Sequence, residues 1–154
     1  MVPDDVRRAH RSFPGPPRTA PTWNPRVVPT LEELEGRPIP AAGGERTHVI
    51  RRCTELMRTD VDRYTVEDLR IMIGQQLGAF HLLPRAVGVL LDDPLAEGHF
   101  FPGDLLTVVM RLPPAASHAH AVLREALVAR VALLPREDLT PALADAVAAF
   151  VAPR

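Results

Sequence analysis

Nine of the chain's 17 prolines fall within its first 44 of 154 residues. Proline lacks a backbone N–H and fixes φ, so it neither continues a helix nor sits in a central strand. The run Pro14-Gly15-Pro16-Pro17 excludes regular structure near the N-terminus. Residues 1–28 therefore read as a disordered or loosely docked tail, mildly basic with five arginines against two aspartates. Its lone Trp23 is either a solvent-facing side chain or an anchor for a partner. Beyond the tail the prolines stand between apolar stretches of helical period, so residues 29–154 read as one helical domain.

The helices announce themselves through their ends. Thr30 with Glu33 three residues on is a capping box, and Gly36 is a natural stop for a short helix bearing Leu31 and Leu34. Residues 45–58 place Val49, Cys53, Leu56 and Met57 on one face and Arg51, Arg52, Glu55 and Arg58 on the other. Thr65 caps a third helix with Glu67 and Asp68 in its first turn. Its wide apolar face (Val66, Leu69, Met72, Ile73, Leu77) predicts the central buried helix, ended by Gly78. Pro84 suits the first turn of a fourth, which Asp92-Asp93-Pro94 stops. Asp104 is expected to cap a fifth helix over residues 105–112, which Pro113-Pro114 breaks. A long helix starts at Ser117 and ends before Pro135, and Thr140-Pro141 opens the last. No segment alternates with period two. The expected fold is all-α: a small single-domain helical bundle of five or six main helices with a Pro-rich N-terminal tail.

Composition narrows the function. A net charge of −1 argues against a general nucleic-acid coat or an anionic-membrane binder. The single Cys53 excludes an internal disulfide and a Cys-rich zinc site, and on an apolar stripe it reads as a small buried hydrophobe. No apolar run approaches the ~20 residues of a membrane span. The opening MVPDDVRR carries no secretory signal, so the expected location is cytoplasmic.

Chemistry is sparse. There is no Gly-rich phosphate loop, nucleophile elbow or His-Glu-x-x-His. His118 and His120 point to opposite sides if helical, so no metal and no cofactor is expected. His81 and His99 read as partly buried rings. Residues 65–91 look superficially like a helix-turn-helix. Its second helix offers only Arg85 to a DNA groove, leaving a small DNA-binding or regulatory module as the alternative function. One stretch breaks the charge pattern: Asp92, Asp93, Glu97 and Asp104 with no arginine among them, interleaved with Phe100 and Phe101. It is either a loop whose acids cap helices and whose aromatics plug the core, or a surface that opposes a cationic partner.

The segments LEELEG (31–36), IRRCTELMR (50–58), YTVEDLRIMIGQQLG (64–78), LLDDPLAEG (90–98) and FFPGDLLTVVMRLP (100–113) occur in an order that resembles bacterial contact-dependent growth inhibition immunity proteins of the CdiI type. The likeness spans residues 30–113. It implies an all-helical, non-enzymatic antidote that binds the C-terminal toxin domain of a cognate polymorphic toxin, often a nuclease. No catalytic residues carry over. The matching polar positions are Glu67, Asp68, Gln75, Asp93, Glu97 and Asp104, structural or toxin-facing. With this resemblance, the candidate partner-binding residues are Asp92, Asp93, Glu97, Phe100, Phe101 and Asp104. No nucleic acid and no membrane is expected as a partner.

Overall fold

A computed structural model of the chain describes residues 28–36 and 47–153. Apart from Val28, the proline-rich tail lies outside the described residues, as do Gly43, Gly44 and Glu45. The described chain forms eight α-helices: α1 Leu31–Glu35, α2 His48–Met57, α3 Val66–Gly74, α4 Ala79–Asp92, α5 Asp104–Met110, α6 Pro114–His118, α7 Ala121–Val131 and α8 Pro141–Val151. No strand occurs among the described residues, only isolated bridges between Thr30 and Asp60 and between Glu97 and Pro102. The all-α expectation holds. Six of the eight helices have seven residues or more, and α1 and α6 are short connectors.

The caps legible in the sequence are in place. Thr30 and Glu33 exchange hydrogen bonds at the start of α1, and Gly36 ends it with φ 64°. Thr65 and Asp68 form the same box on α3, and Thr140 with Pro141 opens α8. α2 starts later than expected, because the Thr47 hydroxyl accepts the Ile50 N–H and caps it there.

The core is organised around α4, which touches α3, α5, α6 and α7. α3, expected to be the central helix, shares the centre and touches α2, α4 and α5. Leu82, Leu83, Ala86, Val87 and Leu90 of α4 are all buried, a broader stripe than Leu69, Met72 and Ile73 of α3. To present that stripe, α4 starts at Ala79, and Pro84 sits inside the helix rather than in its first turn. The proline removes the N–H that would bond the Phe80 carbonyl. His120 Nε2 lies 2.8 Å from that oxygen and takes its place. Burying Leu82 and Leu83 (about 1.5–3 kcal/mol each) outweighs one exchanged hydrogen bond.

Gly78 is also reassigned. α3 ends at Gly74, the chain turns through Gln76 at φ 57°, and Gly78 at φ 61° opens α4. A β-carbon at Gly78 would run into the Leu31 side chain, so this glycine seats α1 against the bundle. The long helix expected from Ser117 is two. The backbone leaves helical dihedrals at His120, φ −125° and ψ 39°, where the ring turns to Phe80.

Candidate functional site

The connection between α4 and α5 carries the acidic and aromatic residues singled out in the sequence. Its shape starts with Asp93, whose N–H bonds the Val89 carbonyl at 2.8 Å and whose carboxylate accepts the Leu95 N–H at 3.1 Å. The N–H of Gly103 then reaches the Leu95 carbonyl at 3.1 Å, closing the loop at its base. Gly103 holds φ 88°, a left-handed turn that glycine adopts freely.

The tip is held from within by two buried carboxylates. Asp104 Oδ1 accepts the Gly98 N–H at 2.7 Å, and Asp104 Oδ2 accepts the Phe100 N–H at 3.1 Å. Between them, Glu67 Oε2 on α3 accepts the His99 N–H at 2.9 Å. Three consecutive amides thus find side-chain acceptors in a segment without a backbone ladder. Buried carboxylates need a counter-charge, and Arg70 supplies it. Its Nε and Nη2 grip Glu67 bidentately at 2.7 and 2.6 Å, and its Nε lies 3.8 Å from Asp104 Oδ2. The Arg70 guanidinium also covers the Phe100 ring, 4.4 Å from the centroid. Paired with this guanidinium and the His99 N–H, the Glu67 carboxyl is held below its ordinary pKa despite burial. Arg70 is correspondingly raised by the Glu67 hydrogen bonds.

A second ionic knot sits beside the first. Asp68 accepts Arg52 Nη2 at 2.7 Å and the Thr65 N–H at 3.0 Å. Burial, the largest influence, pushes the Asp68 carboxyl up, but Thr65 and Arg52 together hold it below its ordinary value. Arg52 therefore lies at the edge of the core, half-exposed, bridging the buried Asp68 and the exposed Glu55 at 3.0 Å. The buried Tyr64 hydroxyl donates to the Leu56 carbonyl, and burial pushes its pKa up to about 12. Burial likewise raises the Cys53 thiol, consistent with the packing role read from its stripe.

The six candidate residues divide. Asp92, Asp93 and Glu97 are exposed, and no ion pair reaches them among the described residues. Phe100 is 68% and Phe101 40% exposed, so neither ring plugs the core. Asp104 is 3% exposed and faces inward. It is the first residue of α5, and Gly103 stands at the cap position it was expected to fill. Its carboxylate is spent on the loop. Of the other matched polar positions, Glu67 and Asp68 are buried and Gln75 is exposed.

Sequence reasoning missed Arg70. The available signal was a lone arginine in an otherwise apolar run, three residues after Glu67. His99, expected to be partly buried, is exposed, with Nδ1 3.7 Å from Glu67 Oε1. His81 stands 3.7 Å from Glu35, and His118 is exposed. Among the described residues no group of three or more His, Cys, Asp or Glu is placed to hold a metal. No described helix is long and apolar enough to cross a membrane. The exposed positions of α4 are Phe80, Pro84, Gly88 and Asp92, while Arg85 turns to Asp62 at 3.3 Å. That face offers no basic or amide side chain to base edges.

Compared with known protein families, the chain matches over residues 33–127, more than half its length, to a family described as CDI immunity proteins. The match spans both the exposed loop and the α3 residues that hold it. No match is found among the curated proteins or the solved structures.

Proposed function

This chain belongs to the CDI immunity protein family, and on that premise we propose that it is the antidote to a cognate contact-dependent growth inhibition toxin. In this reading it binds the toxin's C-terminal domain in the cytoplasm and blocks it sterically, without catalysis. The observation that carries the reading is the family match over residues 33–127. The loop after α4 is the contact surface. Asp92, Asp93 and Glu97 supply unpaired negative charge, and Phe100 and Phe101 supply exposed aromatic area. Aromatic side chains at the centre with a polar rim around them are a common arrangement in tight protein interfaces. The toxin domain is a nuclease in this reading, because a cleft that holds phosphates is cationic and attracts carboxylates. Asp104 contributes from inside by shaping the loop.

The test is co-expression. The C-terminal domain of the toxin encoded beside this gene should arrest growth when produced alone and should not when this chain is produced with it. The two purified proteins should form a stoichiometric complex. Growth arrest that persists at equimolar expression, with no complex formed, overturns the proposal.

A further inference from the structure

We infer that Arg70 is a positioning residue for toxin recognition: it sets Phe100 as a preformed apolar anchor for a partner surface with an apolar pocket bordered by cationic side chains. The inference rests on the antidote reading above and deepens it.

An exposed phenylalanine on a free loop loses rotamer and backbone freedom when it binds, and that loss weakens the complex. Here part of that freedom is already gone. The Phe100 N–H is held by Asp104 at 3.1 Å, and the preceding His99 N–H by Glu67 at 2.9 Å. One face of the ring lies 4.4 Å from the Arg70 guanidinium, which Glu67 fixes in its plane through two hydrogen bonds. At 68% exposure the rest of the ring remains open. Arg70 itself is mostly covered, so its influence on a partner passes through the ring.

The surroundings define the partner. Asp92, Asp93 and Glu97 are exposed around the same loop, and no arginine occurs between Arg85 and Arg111. An apolar projection on a loop that also carries exposed carboxylates complements an apolar pocket on a surface rich in arginine or lysine.

The test is a double-mutant cycle between Arg70→Lys and Phe100→Ala, read as affinity for the purified C-terminal domain of the adjoining toxin gene. Lysine keeps a positive charge for Glu67 and Asp104 but loses the planar fork and the flat face. Arg70→Lys should weaken binding about tenfold when Phe100 is present and less than about twofold when it is Ala. Equal losses in both backgrounds, or no loss with Phe100 present, overturn the inference. Phe100→Ala leaves the buried ion pairs untouched, so it remains decisive even if Arg70→Lys does not fold. Wild-type affinity in that variant removes Phe100 as an anchor and overturns the inference. If the wild-type chain neither binds nor neutralises that domain, the antidote reading falls and this inference with it. If the wild type binds but the cycle shows no coupling, only the role of Arg70 falls.

Discussion

His120 donates its Nε2–H to the carbonyl oxygen of Phe80, 2.8 Å away, in place of the N–H that Pro84 lacks. The two rings also meet, with centroids 4.9 Å apart. A residue that breaks the helix between α6 and α7 thus repairs the helix that proline interrupts. Removing the ring with His120→Ala should cost about 1 kcal/mol of stability. In a Pro84→Ala background the restored N–H takes the Phe80 carbonyl, and the same substitution should cost clearly less. Urea titration of the four proteins measures the difference. Equal losses in the two backgrounds would separate His120 from Pro84.

Two glycine-to-alanine changes should move stability in opposite directions. A β-carbon at Gly98 would press on the Glu67 and Asp104 carboxylates, which Arg70 prevents from retreating. Gly98→Ala should destabilise by about 1–3 kcal/mol. Gly88 lies exposed in the middle of α4, and a β-carbon there would meet nothing within 4 Å. Gly88→Ala should stabilise by about 0.5–1 kcal/mol through helix propensity. Thermal melts of the two variants settle both signs.

Acid should weaken the fold through Glu67 and Asp68. Both carboxyls sit below their ordinary pKa in the folded chain, so the unfolded chain binds protons first as pH falls. Their contribution is therefore complete above the unfolded-state pKa and is lost as pH drops through the folded values, in the window below about pH 5. Urea midpoints from pH 3 to pH 7 should rise with pH and then level. Glu67→Gln should lower the plateau and flatten the acid slope. An unchanged slope in that variant would remove Glu67 from the titration.

The outward charges should act on encounter rather than on folding. Asp93→Asn with Glu97→Gln keeps a side-chain oxygen at 93 to accept the Leu95 N–H and removes two unpaired charges. The melting temperature should stay within about 2 °C. Association with the toxin domain should slow several-fold at low salt and approach the wild-type rate at high salt. Stopped-flow measurements at two ionic strengths check this. A wild-type rate at low salt would move the contact surface elsewhere, first to Arg51, Arg52, Glu55 and Arg58 along α2 and its C-cap.

What the sequence discloses and what it hides follow the range of the interactions. The caps at Thr30, Thr65 and Thr140 are legible because donor, acceptor and first turn lie within four residues. The apolar stripes are legible because their period is local. Pro84 misleads because its local preference is the first turn, whereas the packing of Leu82 and Leu83 pulls the helix start back to Ala79. The partner that makes this tolerable, His120, is 40 residues from Phe80. Asp104 misleads for the same reason: its position suggests a cap, but Gly98 and Phe100 compete for its oxygens. Glu67 and His99 are 32 residues apart, and no period or spacing announces their meeting. Charge and aromatic content marked the loop; only the folded chain separates its inward carboxylate from its outward ones.

The grip on the loop has a consequence for how such a protein changes over generations. Glu67 and Asp104 hold main-chain N–H groups, which every amino acid except proline possesses. These bonds therefore do not depend on which side chain stands at 99 or 100, proline excepted. On the proposed reading of this loop as the toxin-facing surface, those positions can be rewritten to follow a drifting adversary while the main-chain grip on the tip persists, so novelty in recognition and constancy of architecture do not compete for the same atoms.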